Sequence, residues 1–267
     1  MLKVAIGGLG AVGWVVARAL DGAEAGVRLV AVSAAEADRA KARVASFRHP
    51  PEVLPLKELA AAADVVVECL PAQCFDHVAR PVVATGGILV TASAGALMER
   101  NALIAEAARA GARIFVPSGA ILGLDGLRAA REAGLKEVRL TTRKPPRSFG
   151  PLVPHLGRSV PADSIAEPLL LFSGSARQAI RLFPANVNVA AAVSLAGVGP
   201  DDTQVEVWAD PRVARNTHRI EVRSTANEFT IETSNLPDPD NPRSSTITGH
   251  SIVALLRRLT EPLVIGT

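Results

Sequence analysis

The most explicit chemistry in the chain lies at its start, in Gly8-Leu9-Gly10-Ala11-Val12-Gly13. A short apolar run, Val4 to Ile6, precedes it and Trp14 to Leu20 follows at helical spacing. Strand, glycine turn and helix are the setting in which G-x-G-x-x-G binds a dinucleotide; outside that setting it is an ordinary βα turn. Gly8 permits the tight turn, Gly10 lets a pyrophosphate approach bare backbone, and Gly13 lets helix and strand pack closely. The amides from Gly8 through Leu9, Gly10, Ala11 and Val12, at the positive end of a helix, are the candidate phosphate ligands. About 20 residues beyond the glycines, an NAD-specific fold usually places an acid for the ribose 2′-hydroxyl. This chain has Ser33-Ala34-Ala35 there, with Arg39, Lys41 and Arg43 following. A hydroxyl near cations suits a 2′-phosphate and therefore NADP; a solvated helix start accounts for the same residues equally well.

Further along stand candidates for proton transfer and anion binding. Of five histidines, His49 and His155 read as surface residues, while His77 and His250 fall on helices. His218 enters a strand from Asn216-Thr217, although a lone histidine is more often structural than catalytic. Arg143-Lys144 offers a fork and a point charge for a carboxylate, or simply an exposed strand end. The amides of Asn186 and Asn188 suit a carboxamide or carboxylate, or a helix cap, and Ser244-Ser245-Thr246 is likewise a cap or an anion site. Cys69 and Cys74 lack a nucleophile motif, which leaves covalent thioester chemistry a minor option. They are also too few for a zinc site or disulfide scaffold, so no metal is expected.

These residues need positioning, and the apolar pattern supplies the elements. Strands at Val27–Val32, Asp64–Cys69, Ile88–Thr91 and Arg113–Val116 alternate with helices up to residue 117. That alternation predicts an α/β fold with an N-terminal doubly wound parallel sheet, a Rossmann domain. Leu70-Pro71-Ala72-Gln73 and Ser93-Ala94-Gly95-Ala96 fall at its carboxyl edge, where ligands bind. After Pro117 the rhythm changes. A helix from Asp125, a strand at Val138–Lys144, a long loop over 147–163 and a helix over Gly174–Phe183 come first. Antiparallel strands at Gln204–Trp208, His218–Arg223 and Glu228–Thr233 follow, making an α+β domain with an open mixed sheet. The expected domains are 1–117, completed by a returning helix within 241–267, and 118–240, with Ser245 and Thr246 brought to the cleft.

Composition excludes other classes. With 267 residues, 48% hydrophobic and 21% charged, the chain can bury a globular core. A net charge of +3 without a basic run, and 3% aromatic residues without tyrosine, argue against nucleic acid. No apolar run approaches the ~20 residues that cross a bilayer, and with a fingerprint this near the start no signal peptide is expected. A cytoplasmic location is expected.

Several separate motifs occur in one order: the fingerprint, Pro117-Ser118-Gly119-Ala120-Ile121, Thr142-Arg143-Lys144-Pro145, Asn186-Val187-Asn188-Val189-Ala190-Ala191, Ala209-Asp210-Pro211 with Asn216-Thr217-His218, and Asn241-Pro242-Arg243 through Ser251. Over essentially its whole length the chain resembles the L-aspartate dehydrogenases. The resemblance implies His218 as the catalytic residue and dinucleotide contacts at Ala120 and Asn188. It also implies NAD or NADP as cofactor, a homodimer, and service to nicotinamide-cofactor biosynthesis through iminoaspartate. The alternatives are a two-domain reductase of the dihydrodipicolinate reductase or homoserine dehydrogenase kind, or a dinucleotide-binding regulator without turnover.

Overall fold

The computed structural model describes residues 1–22, 26–155, 157–183, 188–239, 241 and 244–266. Asn186 and the Pro242-Arg243 turn lie outside them. Two compact units divide the chain, Met1–Gly119 with Thr248–Ile265, and Ala120–Ile247.

In the first unit the chain runs β1 (Leu2–Gly7), α1 (Ala11–Ala19), β2 (Val27–Ser33), α2 (Ala37–Val44), β3 (Glu52–Val53), α3 (Leu59–Ala62), β4 (Val65–Glu68), α4 (Phe75–Ala84), β5 (Ile88–Thr91), α5 (Ala94–Leu97), α6 (Asn101–Ala110) and β6 (Arg113–Phe115). All strands are parallel, in the order β3-β2-β1-β4-β5-β6. The order reverses between β1 and β4, the switch point at which open α/β sheets bind ligands. β4 is buried throughout, which its Val-Val-Val run allows because helices cover both faces of a parallel sheet. Gly8 has φ +97°, and a Cβ on it would stand 2.4 Å from the Cys69 carbonyl oxygen. On Gly13 a Cβ would stand 1.9 Å from the Gly8 carbonyl oxygen. Neither position tolerates a side chain without moving backbone.

The second unit contains α7 (Leu124–Ala133), β7 (Leu135–Lys144), β8 (Leu152–His155), β9 (Arg158–Pro161), β10 (Leu169–Ser175), α8 (Ala176–Leu182), α9 (Asn188–Ala196), β11 (Gln204–Ala209), β12 (Asn216–Ser224) and β13 (Glu228–Asn235). Its five-stranded sheet is ordered β10-β11-β7-β12-β13. β12 alternates strictly: Asn216, His218, Ile220, Val222 and Ser224 are buried, and the residues between them are not. Such a period marks one face packed and the other solvated.

Three expectations need correction here. Residues 147–163 are not a plain loop, since β8 and β9 pair as an antiparallel hairpin. Gly174–Phe183 is not all helix; Gly174 and Ser175 end β10, and Ser175 starts α8 in a capping box with Gln178. β11 is antiparallel to β10 but parallel to β7, so the later strands are not uniformly antiparallel. The last element, α10 (Ile247–Arg258), buries Ile252, Val253 and Leu256 in one core with Val4, Ile6 and Val16.

Candidate functional site

The carboxyl ends of β1, β2 and β4 are tied by their backbones. The Gly8 amide donates to the Ser33 carbonyl at 2.8 Å and the Cys69 amide to the Gly7 carbonyl at 2.8 Å. Gly10 precedes α1, and a Cβ there would project into open space. A tight turn, a helix start and a bare backbone approach together fit a dinucleotide phosphate. Beside the turn, a cavity of about 840 Å³ is lined by Ser33, Ala34, Lys41, Leu54, Lys57 and His77, among others. Ser33 itself is buried. Arg43 does not line this cavity: its guanidinium donates to the Leu9 carbonyl at 2.7 Å and lies 3.9 Å above the Trp14 ring. The nearby cations are thus divided, with Lys41 at the cavity and Arg43 bracing the glycine turn.

Glu68, a residue with no assigned role in the sequence, ends β4 fully buried. It accepts from Thr91 Oγ1 at 2.6 Å, the Leu70 amide at 2.8 Å and Ser93 Oγ at 3.0 Å. These bonds join the two loops expected to face a cofactor. Burial raises its carboxyl against the opposing pull of the hydrogen bonds,. The signal was available in the sequence: an acid closing a Val-Val-Val run cannot face solvent when both sheet faces are covered. Burial, and secondarily Glu68, push the Cys69 thiol far up, which suppresses the thiolate that covalent chemistry requires.

In the second unit, β7 and β12 pair antiparallel with Thr142 opposite His218. On their buried face, Val138 and Leu140 of β7 lie beside Val222 and Ile220 of β12. Farther along, the same face turns polar, with Thr142, Lys144, His218 and Asn216 all buried. Thr142 Oγ1 lies 3.0 Å from His218 Nδ1. β13 adds buried Thr233, opposite His218, and Asn235, whose Nδ2 donates to the Ala120 carbonyl at 2.8 Å. Burial pushes the Lys144 ammonium down to about 8. Burial first, and then the Lys144 charge, push His218 down to about 3. The imidazole is therefore neutral at every ordinary pH, and a buried neutral histidine acts as a hydrogen-bonding group.

The structure brings His218, Lys144 and Ala120 to this polar end but separates Arg143 from Lys144. Successive strand residues point to opposite faces, so the two do not form one clamp. Arg143 pairs with Asp210 at 3.0 Å and lies 4.7 Å from the Trp208 ring centroid. Ser245 forms a bridge with Pro237. The Thr246 hydroxyl donates to the Pro237 carbonyl at 3.2 Å, so it serves the turn leading into α10. Asn188 is exposed at the first position of α9. His155, expected at the surface, is half-buried with its Nδ1 enclosed and unbonded among the described residues. Thr142 stands in a recognisable motif, but its bond to His218 depends on a strand register that spans 76 positions.

Comparison with known proteins matches the two halves separately and the whole together. Residues 8–117 match the NAD-binding domain family of homoserine dehydrogenase, and residues 125–259 match the aspartate dehydrogenase C-terminal family. The chain is 46% identical over 267 residues to L-aspartate dehydrogenase 3 of Bordetella bronchiseptica, covering 100% of this chain and 98% of that protein. It is 43% identical over 268 residues to L-aspartate dehydrogenase of Bradyrhizobium diazoefficiens, covering 100% and 94%. The crystal structure of aspartate dehydrogenase from Thermotoga maritima aligns at a TM-score of 0.77 and 24% identity over 100% of both chains, a shared fold.

Proposed function

The chain belongs to the aspartate dehydrogenase family, and from that premise we propose that it oxidatively deaminates L-aspartate. The products are iminoaspartate, hydrolysed to oxaloacetate and ammonia, and a reduced nicotinamide dinucleotide. The observation that carries this function is the buried Thr142–His218–Lys144 group, standing in the half of the chain matched by the aspartate dehydrogenase family. The cofactor would supply hydride acceptance when bound, with the Gly8–Val12 turn to hold its pyrophosphate and Ser33 its ribose; contacts at Ala120 and Asn188 rest on the family resemblance alone. The residues around His218 hold the amino acid and manage its protons, His218 as a neutral hydrogen-bonding group fixed by Thr142. Lys144 is the first candidate for a substrate carboxylate or proton, because it shares the buried face with Thr142 and His218; Arg143, on the opposite face with Asp210, and Ser245 and Thr246, in the turn before α10, rank behind it. A homodimer and a place in pyridine nucleotide biosynthesis rest on the family resemblance, and a cytoplasmic location rests on two cysteines read as reduced thiols,.

A panel of amino acids with NAD or NADP, followed by cofactor absorbance, tests the activity. Turnover is expected with L-aspartate and not with L-homoserine. Turnover of homoserine alone would make the protein a homoserine dehydrogenase, and tight cofactor binding without any turnover would make it a regulator.

Both cofactors are expected to work, because Ser33 leaves the ribose edge without an acid and Lys41 borders the cavity. Placing a carboxylate there by Ser33→Asp repels a 2′-phosphate and favours a 2′-hydroxyl. The kcat/KM with NADP should fall at least about tenfold relative to that with NAD, a differential of ~1.4 kcal/mol. Equal effects on the two cofactors would remove Ser33 from the ribose.

A further inference from the structure

Resting on aspartate deamination, we propose that Lys144 is the group that takes and returns the substrate's amine proton, while His218 works beside it without changing charge. Lys144 is usually the kind of residue that ends a strand in solvent. Here it is buried, two positions from Thr142 on the same face of β7, at the end of the sheet where hydrocarbon gives way to polar groups. Thr142 fixes the imidazole through Nδ1, and the lysine charge is near enough to weigh on that ring.

The surroundings of the pair come from several elements. β7 contributes Thr142 and Lys144, β12 Asn216 and His218, and β13 Thr233 and Asn235. From β11 comes Ala209, and the Asp210 carboxylate just beyond it binds Arg143 and the Arg212 amide. Asp238, buried in the turn after β13, accepts from the Asn241 amide. The polar residues of α9 are Asn188 and Ser194, while the charged residues of α7, Asp125, Arg128, Arg131 and Glu132, are all exposed.

Two adjacent buried bases do not both hold a proton, because each charge disfavours the other. The proton goes to the lysine, which releases it at about 8, while the histidine is pushed down to about 3. A base that titrates close to the working pH is the efficient one for general acid–base chemistry. Aspartate arrives as an ammonium, and loss of hydride from Cα requires a lone pair on nitrogen. Lys144 Nζ accepts one proton from that ammonium: an N–H bond breaks on the substrate and one forms on the lysine. The freed pair becomes the second bond of C=N as the hydride leaves to the nicotinamide cofactor. In the reverse direction the lysine returns the same proton.

A carboxylate clamp would need only the positive charge of Lys144, and this separates the two roles. The test measures kcat, KM for aspartate and the pH profile of kcat/KM for wild type, Lys144→Arg, Lys144→Ala and His218→Asn. Cofactor titration and thermal melting establish that each variant is folded. In wild type, kcat/KM should rise with pH through a limb near 8. Lys144→Arg should lose kcat by ~10²–10⁴ and lose the limb. Added methylamine or ethylamine should restore rate to Lys144→Ala, which also covers the case of a poorly folded arginine variant. His218→Asn should be slower yet keep the limb. A limb that survives in Lys144→Arg with kcat intact, or that disappears only in His218→Asn, or an absence of amine rescue in folded Lys144→Ala, would overturn the role of Lys144. Lack of aspartate turnover by wild type itself would instead overturn the function on which it rests.

Discussion

His218→Ala should lower kcat by about 10²–10³, the scale for removing one preorganised hydrogen-bonding group from a reaction centre. Affinity for the dinucleotide should change little, since the glycine turn and Ser33 belong to the other unit and Ala120 is held by Asn235 and not by His218. The same substitution has a signature in stability. His218 is held at about 3 in the folded chain, against ~6.5 when unfolded. Between those values the unfolded chain binds the extra proton, so the wild type loses stability as pH falls below about 6.5. The variant lacks that group and should show a shallower loss between about pH 6.5 and 4, by up to ~1.4 kcal/mol per pH unit. At neutral pH it should instead be less stable, because Thr142 Oγ1 loses its partner, at about 1–3 kcal/mol. Steady-state kinetics, cofactor titration and melting curves across pH read all three effects. Wild-type kcat in the folded variant would remove His218 from the chemistry.

Much of this was readable from residue order, for physical reasons that differ by element. β1 and β4 were legible because strands covered on both faces must be apolar through and through. The glycine turn was legible because Gly8 and Gly13 have no room for a Cβ. The β8–β9 hairpin was hidden by Pro151, Pro154, Pro161 and Gly157, residues that punctuate loops as readily as edge strands,. β10 was hidden because its end overlaps the capping box of α8, and the helix signal of Ser175 and Gln178 dominates locally,. At the candidate site, His218 could be found but its environment could not. A buried lysine looks in sequence like any basic strand end, and the Thr142 bond depends on a register set by long-range pairing,. The separation of Arg143 from Lys144 was legible in principle, since alternation along a strand divides neighbours between faces.

Removal of residues 237–267 should unfold the first unit although the deletion lies more than a hundred residues away from the rest of it in sequence. α10 carries the reason. Ile252 and Leu256 are fully buried and Val253 nearly so, in the same core as β1 and α1. Gly249 lies so close to α1 that a Cβ would meet Val15 Cβ at 2.7 Å. Ser251 Oγ accepts from the Gly119 amide at 3.0 Å, fixing the end of the unit's first segment. Exposing the surface these three side chains cover should cost roughly 5–9 kcal/mol, at about 1.5–3 each, as an upper bound. A domain's whole net stability is about 5–15 kcal/mol, so the loss is of the same size as what holds the unit folded. The cooperative melt and the dinucleotide binding should disappear together. A milder version, Gly249→Val, forces α10 away from Val15 and should lower the melting temperature while leaving a folded protein, because the helix can shift where deletion leaves nothing to shift. Cofactor binding at wild-type affinity by the truncated chain, with its melt intact, would show that the first unit folds without its C-terminal helix.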